Sequence, residues 1–326
     1  MRGKVVGYIL QNQVLAAILV VAFAWLIIEI REVLIAVFVS YILMAAIAPY
    51  VEFLRRQKIP KPIAILIPYI ITIALIVLLI VSLLPFFIAQ IGLLFARLPV
   101  YIIDSANILG LKLDGSSLAP IATAEFGNLS SGIFSITGRV FGGVFALISI
   151  FVISFYLLVY REEVRESFAT LFPEKDHAKV ASTLEKVEDK LGNWLRGQII
   201  LSGFIGVVTW IFLTLYGLEF ALPLAVLAGL LEIVPTIGPT IAAIPAIIVA
   251  LTISFPLAAL VTGSYILLQF FESHVLVPRV MQRAVGLNPI VIIIGIITGG
   301  KLLGPVGALL AVPFLSLLVV IYKNLK

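Results

Sequence analysis

Glu232 is the acidic residue whose surroundings most strongly indicate a chemical role, because it stands in the apolar run Leu-Leu-Glu-Ile-Val-Pro. A charged side chain near the centre of a bilayer costs roughly 2.5–3.5 kcal/mol, so such residues are usually functional. Partial removal of water from a carboxyl group favours uptake of a proton. We predict that Glu232 carries a proton or binds a cation such as sodium. The alternative is an acid that is simply paired inside a helix bundle.

Glu272 is the second candidate and lies in Gln-Phe-Phe-Glu-Ser-His. Gln269 and Glu272 are three residues apart, so they share one face of a helix. We predict that both contact the solute or ion; the alternative for Glu272 is a helix-end acid near Arg279. His274 is of the residue type that titrates near neutral pH, although a lone histidine at a loop edge is more often only solvated.

Lys301, in Gly-Gly-Lys-Leu-Leu-Gly, is a third charged residue within an apolar stretch. Three roles are open to it. Its ammonium group can counter the charge of Glu232, it can bind an anionic substrate, or its long side chain can reach the membrane interface.

The segment Pro-Thr-Ile-Gly-Pro at 235–239 is a predicted break in a helix. Proline removes a backbone N–H donor and glycine permits turns, so carbonyl groups and helix ends are left unpaired. In lipid these groups must face protein or a water-filled cavity. Freed carbonyl groups bind cations, and helix N-termini bind anions. We therefore predict that Thr236 and the carbonyl groups of this break are further ligands beside Glu232.

Composition restricts the kind of protein that can carry these residues. The chain has 326 residues, of which 62% are apolar and 12% charged, and its mean hydropathy is +1.21. Soluble domains are near 45–50% apolar and about 25% charged, and disordered chains are less apolar still. The long continuous apolar runs also differ from the short alternating strands of a β-barrel. The sequence predicts an all-α polytopic membrane protein.

Six runs are long enough to be full transmembrane helices, since about 20 apolar residues cross a bilayer. Two further apolar stretches exceed 30 residues and are interrupted by proline and glycine, which predicts two half-length, re-entrant-like arms in each. The alternative is a pair of long kinked helices. The six spans are near Val14–Ile30, Val33–Tyr50, Pro62–Leu84, Val140–Tyr160, Gln198–Gly217 and Pro256–Phe271, and the two broken stretches are Ala221–Ile253 and Pro289–Tyr322.

The two broken stretches repeat each other, and each follows one full span. Under the orientation given below they enter the membrane from opposite sides, which predicts an inverted repeat. Inverted repeats with interrupted helices indicate a transporter with a binding site near the membrane midplane. The matched positions, at a constant offset of 66 residues, are Pro223 and Pro289, Gly229 and Gly295, Gly238 and Gly304, and Pro239 and Pro305.

Orientation follows from the basic residues, which concentrate on the cytoplasmic side of membrane proteins. With a cytoplasmic N-terminus, 17 of the 22 Lys and Arg residues lie inside. We predict a multi-pass protein of the cell membrane with both termini cytoplasmic. The predicted divisions are N-terminal transmembrane helices (1–84), an extracytoplasmic interfacial segment (85–138), a transmembrane helix (139–160), a cytoplasmic helical segment (161–196) and two transport units (197–255 and 256–326).

Several kinds of chemistry lack the residues they need. The chain has no cysteine and two histidines, and no Asp falls within a predicted span, so neither an intramembrane enzyme nor a multi-histidine metal site is expected. It has no Gly-x-x-x-x-Gly-Lys-Ser/Thr loop for ATP. We predict no enzyme activity, no cofactor and no nucleic-acid partner; the lipid bilayer and a transported solute are the expected partners.

Several of these motifs resemble the autoinducer-2 exporter family of membrane proteins. The resemblance is carried by Leu-Arg-Gly-Gln (195–198), Gly-Leu-Glu-Phe-Ala-Leu-Pro (217–223) and Leu-Glu-Ile-Val-Pro-Thr-Ile-Gly-Pro (231–239). Gln269–Glu272 leading into Val-Pro-Arg-Val-Met-Gln (277–282), Gly304–Gly307 and Ala311–Pro313 also carry it. Thr236 stands where members often have Tyr. The positions that match the family's pattern are Glu232, Pro235, Gly238, Pro239, Gln269, Glu272, Gly304 and Pro305.

The resemblance implies export of autoinducer-2, a small polyhydroxylated quorum-sensing signal, or sodium/proton exchange. It also implies homo-oligomers, with pentamers among the expected states. Together with the residues above, it predicts a secondary transporter that works by alternating access around the broken helices and is coupled to protons or sodium. A sodium/proton antiporter, a channel and a non-transporting membrane scaffold are the alternatives.

Overall fold

The computed structural model describes residues 13–108, 110, 143, 145–234, 237–281 and 288–325. Every regular element within these ranges is helical, as the sequence predicts. A 3₁₀ turn (Glu174–Asp176) precedes α6, and a π-helical turn (Glu272–Leu276) joins α9 to α10. The helices are α1 (Gln13–Glu29), α2 (Arg31–Arg56), α3 (Lys61–Ile108), α4 (Phe145–Val159), α5 (Arg161–Ala169), α6 (His177–Leu215), α7 (Ala221–Leu231), α8 (Ile237–Ile253), α9 (Phe255–Phe271), α10 (Val277–Met281) and α11 (Pro289–Leu325).

By length and apolar composition alone, five stretches of the described chain are able to cross a membrane, and the last of them folds back on itself at Gly304. A sixth is added if α4 and α5, which meet at an angle of 76°, form one broken span. The chain is therefore a multi-pass membrane protein. The five stretches are Arg31–Arg56, Lys61–Val81, Glu174–Leu215, Phe255–Val280 and Ile290–Asn324.

The junction between α1 and α2 corrects the predicted pair of spans at the N-terminus. Helical hydrogen bonds continue through it, from Ile30 N to Leu26 O and from Leu34 N to Ile30 O, each 3.0 Å. The predicted spans Val14–Ile30 and Val33–Tyr50 are thus joined through a single non-helical residue, Ile30 (φ −91°, ψ 9°), rather than by a loop. With 17 residues, α1 is about 26 Å long, somewhat short of the ~30 Å hydrocarbon core.

Helix α3 continues past the predicted boundary after Leu84, and its apolar membrane-spanning part ends at Val81, close to that boundary. It contains 48 residues, so it is about 72 Å long, more than twice the thickness of a hydrocarbon core. The helix continues through Pro85, where we predicted the start of interfacial helices. The rest of the predicted interfacial segment, apart from Gly110, lies outside the described residues.

The first broken stretch folds back on itself as a hairpin of α7 and α8. Residues at equal distances from the break meet across the hairpin, since Leu224 and Ala246 share one buried cluster and Ala228 and Ala242 share another. Helix α7 has 11 residues and is about 16 Å long, so it reaches only part of the way through a bilayer. The two-arm prediction for Ala221–Ile253 therefore describes the observed backbone.

The second broken stretch, α11, reverses direction at Gly304. This residue has φ +64°, a left-handed backbone conformation that glycine adopts without steric penalty. The arms on either side pack closely, because a Cβ placed on Gly299 would overlap the carbonyl group of Gly307, and a Cβ on Gly307 would overlap that of Gly299. Both broken stretches are therefore helical hairpins rather than kinked spans.

Helix α6 is the central element, with α2, α7 and α11 packed against it. It joins the predicted cytoplasmic segment to the following span without interruption, so the boundary predicted between residues 196 and 197 lies inside one helix. Val180, Val187 and Leu191 form a buried apolar face on the first half of α6.

Glu188, on the same buried face of α6, binds two arginines from α5. Arg165 donates two hydrogen bonds to its carboxylate (2.9 and 2.5 Å), and Arg161 donates one (2.6 Å) and another to Glu52 of α2 (2.8 Å). Tyr41 of α2 also donates to Glu188, at 3.2 Å. Because the carboxylate is 2% exposed, this cluster is a well-satisfied buried ion group that joins α2, α5 and α6.

A second polar contact ties the far end of α3 to the loop that precedes the first hairpin. Arg97 forms an ion pair with Glu219 at 2.6 Å, and Tyr101 donates a hydrogen bond to the same carboxylate at 3.0 Å. Leu94, one turn earlier on α3, is buried in the cluster that contains Leu224 of α7. The extension of α3 is therefore packed against the first hairpin.

We expect Glu188→Gln to destabilise the protein strongly, since it removes the buried carboxylate that two partly buried guanidinium groups share and leaves them only the exposed acids Glu52 and Glu162. Loss of one partner of a buried ion pair typically costs about 3–5 kcal/mol. Thermal unfolding of purified protein in detergent checks this. Glu185→Gln, at an exposed position one turn earlier, is the matched control and should unfold near the wild-type temperature. Equal unfolding temperatures for the two variants would contradict the assigned role of the cluster.

Candidate functional site

Glu232 follows the last residue of α7 and is 0% exposed. Its backbone carbonyl accepts a hydrogen bond of 2.7 Å from the side-chain amide of Gln198. Neither carboxyl oxygen receives a hydrogen bond from a donor group in the part of the chain that the structure describes. The carboxyl group is therefore a buried hydrogen-bond acceptor without a donor. Burying an ionised carboxylate in this way costs free energy unless it takes up a proton or binds a cation.

Glu272 is buried as fully as Glu232, with 1% exposure. It begins the π-helical turn that follows α9, and such turns are frequent at functional sites. Gln269 donates a hydrogen bond of 3.2 Å to its carboxyl group, across the three-residue spacing read in the sequence. Among the described residues, no ion pair joins Glu272 to Arg279.

Glu232 and Glu272 are close enough for their buried carboxyl groups to interact electrostatically. A hydrogen bond between two carboxyl groups requires that one of them carries a proton. Two neighbouring carboxylates in a buried site also resist simultaneous ionisation. We call Glu232 and Glu272 the acid pair; its geometry can hold one shared proton or one cation.

Helix α6 supplies further oxygen atoms on the face that carries Gln198. Gln198 and Ser202 are four residues apart, and the Oε1 and Oγ atoms of these side chains are buried without a hydrogen-bond partner among the described residues. A Cβ on Gly229 would lie only 2.8 Å from the Ser202 carbonyl oxygen. The glycine therefore lets α7 approach α6 closely, one turn before the acid pair. Carboxylate, amide and hydroxyl oxygens of this kind are ligands for hard cations.

A groove of about 370 Å³ lies between α8 and α9 beside the acid pair. Gln269 lines it and also binds Glu272, so this amide connects the groove to the acids. Tyr265 lines it too, and its hydroxyl group is buried without a partner within the described ranges. Thr240 and Thr262 add further hydroxyl groups to the wall. These polar groups are set in a wall that is otherwise formed by proline, alanine and isoleucine side chains, so the groove can hold a small molecule with both polar and apolar parts.

The first break places its described residues at the tip of the hairpin, next to Glu232. Gly238 and Pro239 are buried there. A Cβ on Gly238 would overlap the carbonyl group of Leu231, so only glycine permits the observed approach of the two arms. Pro235 and Thr236, both predicted site residues, lie outside the described residues.

The second break, at Gly304, lies among exposed residues, unlike the buried residues of the first break. Lys301 and Pro305 are exposed, and a Cβ on Gly304 would meet nothing within 4 Å. Within the described part of the chain, Lys301 forms no ion pair with Glu232. The predicted counter-charge is therefore absent in this conformation, and the roles of Lys301, Gly304 and Pro305 in binding stay predictions.

A cavity beside the second hairpin is unsuited to a polar solute because its lining is almost entirely apolar. It measures about 510 Å³ and lies between the start of α2 and α11. Phe38, Leu310 and Phe314 are among its lining residues, and Thr298 is the polar side chain there. The groove between α8 and α9, whose wall carries one amide and several hydroxyl groups, is the better candidate.

Two residues of this site were not among the predicted binding residues. The sequence places Gln198 at the start of a span together with Asn193 and Arg196, with the lining of an inner vestibule as one interpretation, and it assigns no role to Ser202. The four-residue spacing of Gln198 and Ser202 on an otherwise apolar helix is a signal that would have placed both on one buried face. What the spacing alone could not reveal is that this face meets the end of α7.

The family and the relatives that match this chain are all described as transporters or transport proteins. The model of a family described as "AI-2E family transporter" matches residues 14–326. "Putative transport protein YrrI" of Bacillus subtilis is 28% identical over 90% of this chain and 86% of its own length. "AI-2 transport protein TqsA" of Escherichia coli is 35% identical, over 40% of this chain and 39% of its own length.

We expect Gly238→Ala to prevent correct closure of the first hairpin, because the added methyl group overlaps the Leu231 carbonyl. Overpacking of this kind typically costs about 1–3 kcal/mol. Thermal unfolding in detergent measures the loss. Gly263→Ala is the control, since a Cβ at this position on α9 meets nothing within 4 Å, and it should be neutral or slightly stabilising. A Gly238→Ala protein as stable as the Gly263→Ala protein would contradict the tight turn.

Proposed function

This chain belongs to the AI-2E family of transporters, and we propose that it is an ion-coupled secondary transporter that exports a small polar solute by alternating access. The acid pair is the coupling site in this proposal, and the groove between α8 and α9 is the solute site. The observation that carries the proposal is that Glu232 is fully buried close to Glu272. No hydrogen-bond donor or basic side chain of the described chain contacts the Glu232 carboxyl group.

Coupling follows from the charge of the acid pair. A proton or sodium ion must neutralise at least one carboxylate before the pair can be closed off from water. A conformation that opens the pair to water allows the ion to leave. The occupancy of the pair therefore changes the relative stability of open and closed states, which is the requirement for ion-driven alternating access.

Gln269 would link the ion to the solute. Its amide group donates to Glu272 and also lines the groove, so a solute that binds the amide changes the hydrogen bonding of the acid pair. Autoinducer-2 is the proposed solute, since the groove walls carry hydroxyl and amide groups and the Escherichia coli relative is named as an AI-2 transport protein. Export as the direction of transport is part of the same proposal.

Sodium/proton exchange is the second candidate, and a specific observation favours it. The unpartnered oxygens of Gln198 and Ser202 lie on the helix face that contacts Glu232. Together with the acid pair they offer the oxygen ligands that a sodium ion requires. In this version Glu232 and Glu272 bind sodium and protons in alternation, and no organic solute is needed.

Assembly and orientation complete the proposal. We propose a homo-oligomer, with a pentamer among the states to be tested, and cytoplasmic termini. The support is indirect: α3 and α11 expose large apolar side chains, which require lipid or a neighbouring subunit as partners.

The first test is reconstitution of purified protein in liposomes with autoinducer-2 and an imposed pH or sodium gradient. We expect accumulation that requires one of the gradients. Glu232→Gln should reduce it at least 10-fold, because the amide cannot exchange a proton, while Glu166→Gln, at an exposed position on α5, should not. Gradient-independent equilibration would favour a channel, and wild-type rates in Glu232→Gln would refute the coupling role.

The second test separates sodium from protons. If sodium binds between the acid pair and α6, Ser202→Ala should raise the sodium concentration for half-maximal transport by about 10-fold, since it removes one oxygen ligand. Thr209→Val is the matched control, because Thr209 is another buried hydroxyl on α6 without a partner in the described chain. An unchanged sodium dependence in both variants would leave protons as the coupling ion.

A further inference from the structure

A cavity of about 590 Å³ lies between α2, α6 and α10, apart from the acid pair. Arg196 and Arg279 both line it, together with Tyr50 and Asn193. We call it the arginine cavity. It brings together two guanidinium groups that are far apart in the sequence, and nothing in the proposed transport cycle uses them.

Arg196 is fixed in this cavity by three hydrogen bonds, two to backbone carbonyl groups and one to a side chain. Its Nη1 atom donates to the carbonyl oxygens of Ala45 (3.3 Å) and Ala46 (2.8 Å), and its Nη2 atom donates to Asn193 Oδ1 (2.8 Å). The Ala45 carbonyl lacks its helical donor, because Pro49, four residues later in α2, has no N–H group. A guanidinium group has five N–H donors, so Arg196 keeps donors for a ligand.

The two arginines of the cavity are not neutralised by ion pairs from the described chain. Neither Arg196 nor Arg279 forms an ion pair within the described ranges. Asp189 is close enough to act on Arg196 electrostatically, without forming such a pair. Arg279, on the short helix α10, is exposed. Two guanidinium groups at one cavity attract an anion, and their planar donor pairs match the oxygens of a phosphate group in particular.

We propose that the arginine cavity binds a phosphate group, with Arg196 as the fixed donor and Arg279 as the second contact. The apolar part of α6 begins directly after Arg196, which places the cavity where the membrane surface and water meet. The phosphate can therefore belong to an anionic lipid headgroup or to a soluble phosphate compound. The chemistry of recognition is the same for both sources.

The test uses the full-length protein and two probes. Native mass spectrometry measures retention of phosphatidylglycerol against phosphatidylcholine, and equilibrium dialysis with radiolabelled inorganic phosphate measures the soluble ligand. We expect Arg279→Gln to weaken binding of at least one probe 10-fold or more. Arg56→Gln removes the same charge from an exposed position outside the cavity and should leave binding unchanged.

Arg196→Lys is the second variant, since it keeps the positive charge but loses the planar donor pair. We expect it to weaken binding as well, and its unfolding temperature shows whether the Ala45 and Ala46 carbonyls still find a donor. Loss of phosphatidylglycerol retention alone assigns a lipid site, and loss of phosphate binding alone assigns a soluble ligand. No binding of either probe by the wild-type protein, or equal losses in Arg279→Gln and Arg56→Gln, would overturn the proposal.

Discussion

The burial of two carboxyl groups side by side is the constraint on which the rest of the structure depends. Glu232 and Glu272 come from different helices, and each needs an interruption of regular helix to reach the other: the end of α7 for one and the π-helical turn after α9 for the other. Such interruptions leave backbone groups without helical partners, and these must be satisfied away from lipid. The amide of Gln198 does this for the Glu232 carbonyl.

The buried ion cluster around Glu188 illustrates the opposite electrostatic solution. There one carboxylate receives hydrogen bonds from Arg161, Arg165 and Tyr41, so it needs nothing from outside the protein. The acid pair has no such donors beyond Gln269 in the described chain. The long helix α6 thus carries one acid, Glu188, whose hydrogen bonds are satisfied within the protein. Further along, the same helix contacts the acid pair, whose hydrogen bonds are not satisfied by the described residues. The first acid has a structural role, and the second site is able to exchange an ion.

Local spacing was sufficient to predict part of this site. The Gln269–Glu272 hydrogen bond follows from a three-residue helical spacing. The close approach of the two arms at Gly238 and the reversal at Gly304 follow from the missing side chain and the backbone freedom of glycine. Helix packing sets the remaining contacts. The approach of Glu232 to Glu272 depends on how the first hairpin lies against α9, and a single sequence contains no direct signal of that geometry.

The helices that run on across predicted boundaries have a related cause. Hydropathy measures where a chain prefers lipid, not where its backbone hydrogen bonds end, so neither the junction at Ile30 nor the continuation of α3 beyond Leu84 was predictable from it. Glu188 was missed for a different reason. Its position four residues after Leu184 places it on the apolar face, but an acid on that face becomes interpretable only when the two arginines of α5 are folded over it.

The length of α3 gives the molecule a lever arm. Its first half packs beside α2, its second half packs against α8, and Arg97 ties it to the loop that leads into the first hairpin. For a rod about 72 Å long, a tilt of about 5° at one end displaces the other by about 6 Å. Small rotations of the hairpin that carries Glu232 would thus be amplified into movements at the outer end of α3 large enough to follow with a pair of distance probes.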